Sequence, residues 1–400
     1  MVHVPRLHTA ILREHFAEHR QMALLAGPRQ VGKTTVCRTL DHDPRYLNWD
    51  DRDDRRLILR GPKVVAAELD LARLREDRPL VVFDELHKHR KWKQFLKGFF
   101  DGHADRVRIA VTGSAQLDVY RRGGDSLMGR YLLYRISQLS VGELLRQGAP
   151  ASALAKPERL GPARYAQLLQ RGGFPEPFLK DGRFGVRWRE LRRQQLVRED
   201  VRDLARVQDL DQLEVMEALL RERSGRTLTF SELANTVHVT VETASRWVAL
   251  LAHLHHGFLL RPWFANVTKS LRKEPKWYQT DWAGVDDAGA RAETFVACHL
   301  LKAVQTWQDV GFGRFELRYL RDKNQREVDF CVVRDGKPWF LAEVKKSGES
   351  LSPALAHFQR QTKAKHAFQV VVDLPFVGAD PFERNDPCVV PAATLLSMLP

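Results

Sequence analysis

The sequence predicts a multidomain α/β chain that opens on a parallel sheet and closes on a second α/β domain. Between residue 21 and about residue 140, short apolar runs alternate with helical patterns, as they do where helices cross between parallel strands. After residue 288 a helix, three strands, a helix and a further strand are expected, set apart from the first series by an Arg-rich helical stretch. The length of 400 residues accommodates two or three domains at about 150 residues each.

Lys and Arg total 64 and Asp and Glu 50, a formal charge of +14 with a pI near 9.8. That excess favours a polyanionic partner, nucleic acid or a membrane surface. Hydrophobic residues make up 44%, so each domain can bury a core and wholesale disorder is excluded. Cys37, Cys298, Cys331 and Cys388 are far apart and form no CxxC pair. This excludes a disulfide framework or zinc ribbon and suits a reducing cytoplasm. The opening residues put His and Pro where a signal peptide needs an apolar run. No apolar stretch approaches the ~20 residues of a membrane span. A soluble cytoplasmic protein with no membrane partner is expected.

The expected strands of the first domain are Met22–Ala26, Tyr46–Trp49, Leu80–Phe83, Arg108–Thr112 and Tyr131–Ile136. Between the first of them and a helical pattern over Lys33–Leu40 lies Gly27-Pro28-Arg29-Gln30-Val31-Gly32-Lys33-Thr34, followed by Thr35. The glycines let backbone N–H groups turn inward around the β- and γ-phosphates of a nucleotide such as ATP. Lys33 then neutralises phosphate oxygens, and the Thr34 hydroxyl ligates Mg²⁺. The run Leu80–Phe83 ends in Asp84 and Glu85, at the carboxyl tip where an open α/β sheet places its ligands. Asp84 suits the water shell of Mg²⁺, and Glu85 suits the base that polarises an attacking water. Ser114, just past the strand Arg108–Thr112, is placed to sense the γ-phosphate.

The order of these parts, with Arg130 just before Tyr131–Ile136, resembles an AAA-type ATPase. The resemblance implies an arginine that often acts in trans on a neighbour's nucleotide, which a homo-oligomer would supply. Arg121 and Arg122 compete with Arg130 for that role, and a plain surface arginine stands beside both. The segments Ala26–Thr35, Phe83–Lys88, Thr112-Gly113-Ser114 and Gly172-Gly173-Phe174-Pro175-Glu176 together look like a prokaryotic family of AAA-type ATPases with a conserved C-terminal domain of unknown function.

Residues 209–285 read helix, helix, helix, strand, loop, strand, which is the order of a winged helix-turn-helix. A capping box from Thr229 to Glu232 should open the second helix. The third should bury Val241, Ala244, Val248 and Leu251 and leave Glu242, Thr243 and Arg246 open. Lys269, Arg272 and Lys273, beside Lys276, are placed for contacts with DNA phosphates. The histidines, His253, His255 and His256 among them, show no metal-ligand spacing. The Arg-rich stretch over 183–193 reads as a solvated helix face or a DNA track.

Asp329 and the Glu343-x-Lys345 pair flank an expected hairpin around Asp335-Gly336. A bare two-residue loop would set Asp329 on the opposite face from Glu343. A three-residue loop or a bulge pairs them, and also stacks Cys331 on Leu341. The pattern resembles the PD-(D/E)xK nuclease fold, with Glu293 matching the acidic residue on the preceding helix. That resemblance implies Mg²⁺ held by Glu293, Asp329 and Glu343, with Lys345 acting on the attacking water. Active nuclease and inert nuclease-like module are both open.

The expected organisation is an AAA-type P-loop ATPase domain over 1–145, a helical lid over 146–208, a winged helix over 209–285 and a restriction-endonuclease-like α/β domain over 286–400. The expected function is a Mg²⁺-dependent ATPase that binds DNA and carries the nuclease-like domain. The alternative is a non-nucleolytic nucleotide switch that docks onto a protein partner.

Overall fold

The computed structural model describes residues 4–73, 75–113, 127–196, 210–264, 274–348 and 350–400. Two compact units emerge: residues 4–137 with 147–149, and residues 138–146 with 150–400.

In the first unit, helix Leu7–Glu18 leads into β1 (Met22–Ala26). Then come helix Lys33–Thr39, β2 (Arg45–Asn48), helices Arg52–Leu59 and Pro62–Glu68, β3 (Leu80–Asp84), helix Trp92–His103, β4 (Arg108–Thr112) and β5 (Tyr131–Arg135). All five strands run parallel in the order β2-β3-β4-β1-β5. The central strands are buried on both faces, which is why they read as continuous apolar runs without alternation. Phe83 packs edge-on against Phe95 and Phe99, with ring centroids 5.4 and 5.1 Å apart, fastening helix Trp92–His103 to the sheet. Because β4 lies between β1 and β3, its tip falls between the phosphate loop and Asp84.

The second unit carries helices Pro162–Arg171, Pro175–Leu179 and Gly182–Gln195, then Leu210–Glu222, Phe230–Val237 and Val241–His253. An antiparallel pair follows, β6 (Gly257–Leu260) with β7 (Lys276–Gln279), and Thr227 bridges Lys276 from the other side. Helix Ala288–Asp309 precedes a five-stranded sheet of order β12-β11-β10-β9-β8. Its strands are β8 (Phe315–Arg321), β9 (Glu327–Arg334), β10 (Lys337–Lys345), β11 (His366–Val371) and β12 (Cys388–Pro391). β8, β9 and β10 pair antiparallel, while β10, β11 and β12 pair parallel, with helix Pro353–Thr362 crossing from β10 to β11. The strand β12 and the final helix Ala392–Ser397 are additions to the expected order.

Several local expectations are corrected. Thr229 makes no capping bond, and Glu232 turns instead to Arg223 at 2.5 Å, a charge-assisted contact that the neutral cap cannot match. Val241 is exposed, and Trp247 takes its place in the buried stripe with Ala244, Val248 and Leu251. Arg192 of the Arg-rich helix lies over the rings of Phe174 and Trp188, so that face is partly packing surface. His256 is buried against Glu217 at 2.9 Å, a carboxylate partner that sequence spacing did not reveal.

Candidate functional site

The two strand tips in the first unit bring the expected nucleotide residues together. The loop between β1 and helix Lys33–Thr39 holds Gly27, Gln30 and Gly32 at positive φ (152°, 62° and 99°). At Gly27 the backbone passes so close to β5 that a Cβ would lie 2.0 Å from the Ile136 carbonyl oxygen. Only glycine fits. Pro28 and Val31 are buried in this loop, Arg29 is half-buried and Gln30 exposed, and Thr35 sits in the first helical turn. Arg6, from ahead of the first helix, braces the loop by donating to the Val31 carbonyl and, at 2.6 Å, to that of Ser137.

Lys33 curls back on the loop and donates to the carbonyls of Gly27 and Pro28 at 2.8 and 2.7 Å. Burial pushes its ammonium down to about 8, against the pull of Glu85 and Asp84. Thr34 donates to Asp84 Oδ2 at 3.0 Å. Asp84 also receives the hydroxyls of Tyr46 and Thr112. Glu85 stands at φ 54° directly after β3. Burial raises its carboxyl, opposed chiefly by Lys88, whose Nζ lies 3.6 Å away. Glu85 Oε2 is buried and accepts no hydrogen bond, with Lys88 Nζ 3.6 Å and His87 Nε2 3.7 Å away. The Thr34 hydroxyl and the Asp84 carboxylate are hard oxygen donors of the kind that would suit Mg²⁺ and its waters.

Ser114, Arg121 and Arg122 lie outside the described residues, as do Lys269, Arg272 and Lys273. Arg130 pairs with Asp101 through Nε and Nη2 at 2.7 and 3.0 Å. It sits where β5 begins, beside Met22 at the start of β1, and so at the sheet edge opposite its own phosphate loop. Thr112 and Tyr46 were not legible from motifs, because each reaches Asp84 from a separate strand.

In the second unit Glu293, Asp329, Glu343 and Lys345 are brought into one neighbourhood. The hairpin turn is the tight Asp335-Gly336 pair (φ 50° and 80°), and a register shift between Pro338 and Phe340 supplies the bulge. Leu341 therefore faces Cys331, and Val344 N–H donates to Asp329 Oδ2 at 2.9 Å. Lys345 Nζ lies 2.9 Å from Glu343.

Lys276 corrects an expectation. It is 3% exposed, so its ammonium does not face solvent. Its Nζ lies 3.3 Å from Glu293, 3.3 Å from Asp329 and 2.5 Å from Glu327. Burial alone would depress it, but Glu293, Asp329 and Glu327 hold its ammonium well above the ordinary value. Tyr278 donates to Glu293 at 2.6 Å. Burial and the neighbouring Asp329 push the Glu293 carboxyl up to about 7. The cation that several adjacent carboxylates require is thus a lysine from β7. Among the described residues no group of three His, Cys, Asp or Glu side chains is disposed to hold a metal ion. No helix among them is long and apolar enough to cross a membrane.

The parallel sheet, the glycine loop with Lys33 and Thr34, and the paired acids at the tip of β3 define an AAA-type P-loop ATPase domain, and residues 19–145 match the family model of the AAA domain. Residues 162–284 and 288–392 match two domains of unknown function, DUF8612 and DUF4143. The chain is similar to an uncharacterized protein of Mycobacterium tuberculosis and to one of Mycobacterium bovis, each 25% identical over 86% of this chain and 75% of the relative. Among solved structures, AMPPCP-bound DnaA from Aquifex aeolicus matches with a TM-score of 0.32 and 15% identity, over 61% of this chain and 87% of that one.

Proposed function

We propose that the protein is a Mg²⁺-dependent ATPase that works as a nucleotide-driven switch, engages DNA through residues 209–285 and does not cleave it. The observation that carries the ATPase reading is the convergence of Lys33, Thr34, Asp84 and Glu85 at neighbouring strand tips. Thr34 and Asp84 would hold Mg²⁺, which supplies charge neutralisation on the β- and γ-phosphates. Lys33 leaves its loop carbonyls for those phosphates, and Glu85 takes a proton from the attacking water. Lys33→Ala should abolish ATP binding, whereas Glu85→Gln should bind ATP and stop turnover. Normal phosphate release by Glu85→Gln would overturn this assignment.

The DNA reading draws on the net charge of +14 and on the helix-helix-helix-strand-strand order of residues 210–279, closed by the Thr227–Lys276 bridge. Glu242 and Arg246 stand exposed on its third helix. If the basic loop grips duplex phosphates, replacing Lys269, Arg272 and Lys273 by Ala should flatten the log–log salt slope by roughly 2–3 units. An unchanged slope would place the contacts elsewhere, or favour a protein partner.

The C-terminal helix, three antiparallel strands, helix and parallel strand support a nuclease-like fold. One observation favours the inert form: Lys276 already fills the acid cluster with a fixed positive charge. Incubating the protein with labelled single- and double-stranded DNA, with and without ATP and Mg²⁺, should leave every substrate intact.

A further inference from the structure

The Asp84 carboxylate is held by three hydroxyls from three separate elements. Thr34 and Tyr46 donate to Oδ2, and Thr112 donates to Oδ1. Thr34 belongs to the phosphate loop motif and Thr112 to the strand lying between loop and acid. Tyr46 belongs to neither. It comes from β2, where Tyr46 pairs with Val82 and Asn48 with Asp84.

Satisfying a buried carboxylate does not require Tyr46, since Thr34 and Thr112 already give each oxygen a donor. A carboxylate has about four lone-pair positions. With three filled, one on Oδ1 stays open for the water shell of a metal ion. Two donors on Oδ2 and one on Oδ1 also fix the plane of the group, which a single donor on each side leaves freer to turn. Tyr46 is itself anchored at the ring, where the Arg38 guanidinium stands 4.9 Å from the centroid.

We propose that Tyr46 is a positioning residue for the divalent ion of the nucleotide site, holding the Asp84 carboxylate so that its remaining lone pair faces the metal's water. The proposal rests on reading the first unit as a Mg²⁺-dependent ATPase, and it adds a residue outside the motifs. Magnesium demands near-ideal octahedral geometry and dehydrates reluctantly, so its binding is sensitive to the angle of an acceptor that touches it only through water.

The test is a Mg²⁺ titration of ATP turnover at saturating ATP, paired with fluorescent-nucleotide binding in EDTA. Tyr46→Phe keeps the ring and its arginine contact and removes only the hydroxyl. It should raise the Mg²⁺ midpoint roughly tenfold, the effect of one hydrogen bond to a charged group, and change kcat at saturating Mg²⁺ less than about twofold. Metal-free nucleotide affinity should stay as in the unmodified protein, because Lys33 and the loop hold the phosphates. Tyr46→Leu should show the same Mg²⁺ shift with an added loss of thermal stability. An unmodified Mg²⁺ midpoint in Tyr46→Phe overturns the proposal. So does a fall in metal-free affinity and kcat together without a midpoint shift, which marks a merely structural tyrosine. Absence of Mg²⁺-dependent turnover in the unmodified protein would instead sink the ATPase reading, and the role of Tyr46 with it.

Discussion

The Lys276 ammonium lies 3.3 Å from Asp329 Oδ1, deep in the second unit, and it reaches there from a strand far from the C-terminal sheet in sequence. It bridges Glu293, Glu327 and Asp329 at once. Removing one partner of a buried ion pair costs about 3–5 kcal/mol, because the charges left behind stay buried and uncompensated. Lys276→Ala should therefore lower the melting temperature of the second unit by roughly 6–15 °C. Added Mn²⁺ should recover part of that loss in the variant and leave the unmodified protein unchanged. Thermal scans of both proteins with and without the ion decide it.

Acid should weaken the second unit through His299. Its Nε2 accepts from Val141 N–H at 3.1 Å and its Nδ1 donates to the Phe295 carbonyl at 2.8 Å, so both ring nitrogens are committed in the neutral form. Burial lowers its pKa to about 3. A depressed folded-state pKa contributes stability that is complete above the unfolded value of 6.5 and is lost as pH falls toward 3. Between pH 6.5 and pH 4 the loss should be on the order of 3 kcal/mol. Urea titrations at pH 7, 5 and 4 should show it, and His299→Gln should flatten the dependence over that window.

Gly27→Ala should cost the first unit its nucleotide. The added Cβ would meet the Ile136 carbonyl oxygen at 2.0 Å, on a backbone with φ 152°. Either the loop or β5 must move, and the phosphate-facing N–H groups move with the loop. Nucleotide affinity should fall at least about tenfold, the effect of about 1.4 kcal/mol. Equal affinity for both proteins would show that the loop tolerates the displacement.

Nucleotide binding should weaken at high pH. Burial sets the Lys33 ammonium at about 8 in the nucleotide-free protein, while bound phosphates favour the charged form. Above pH 8 binding must therefore take up a proton. Affinity should fall by up to about tenfold per pH unit until the bound-state value is reached. Calorimetry in buffers of different ionisation enthalpy should detect the uptake. Lys33→Arg, which keeps its charge, should lack it whatever its absolute affinity.

Residue order alone specifies what lies close along the chain. Gly27 and Gly32 lie in one loop between a strand and the helix that Lys33 and Thr34 open, so their spacing alone marks a phosphate loop. Asp84 and Glu85 end a continuous apolar strand, and that pattern already marks the carboxyl tip of a buried parallel sheet. The contacts that join separate elements come from folding in three dimensions. Periodicity tells which face a residue takes but not which strand will lie beside it. Hence the hydroxyls of Tyr46 and Thr112 on Asp84 could not be read from their own segments. Which device sets Asp329 against the Glu343 strand, a longer turn or the bulge between Pro338 and Phe340, depends on packing across the sheet and leaves no mark in the turn sequence. Lys276 shows the difference most sharply. Beside a basic loop it reads as a surface cation, yet all four residues of its strand are buried. Only the arrival of Glu293, Glu327 and Asp329 around it makes a charged lysine stable there, because burial is tolerable for an ammonium only when opposite charges meet it.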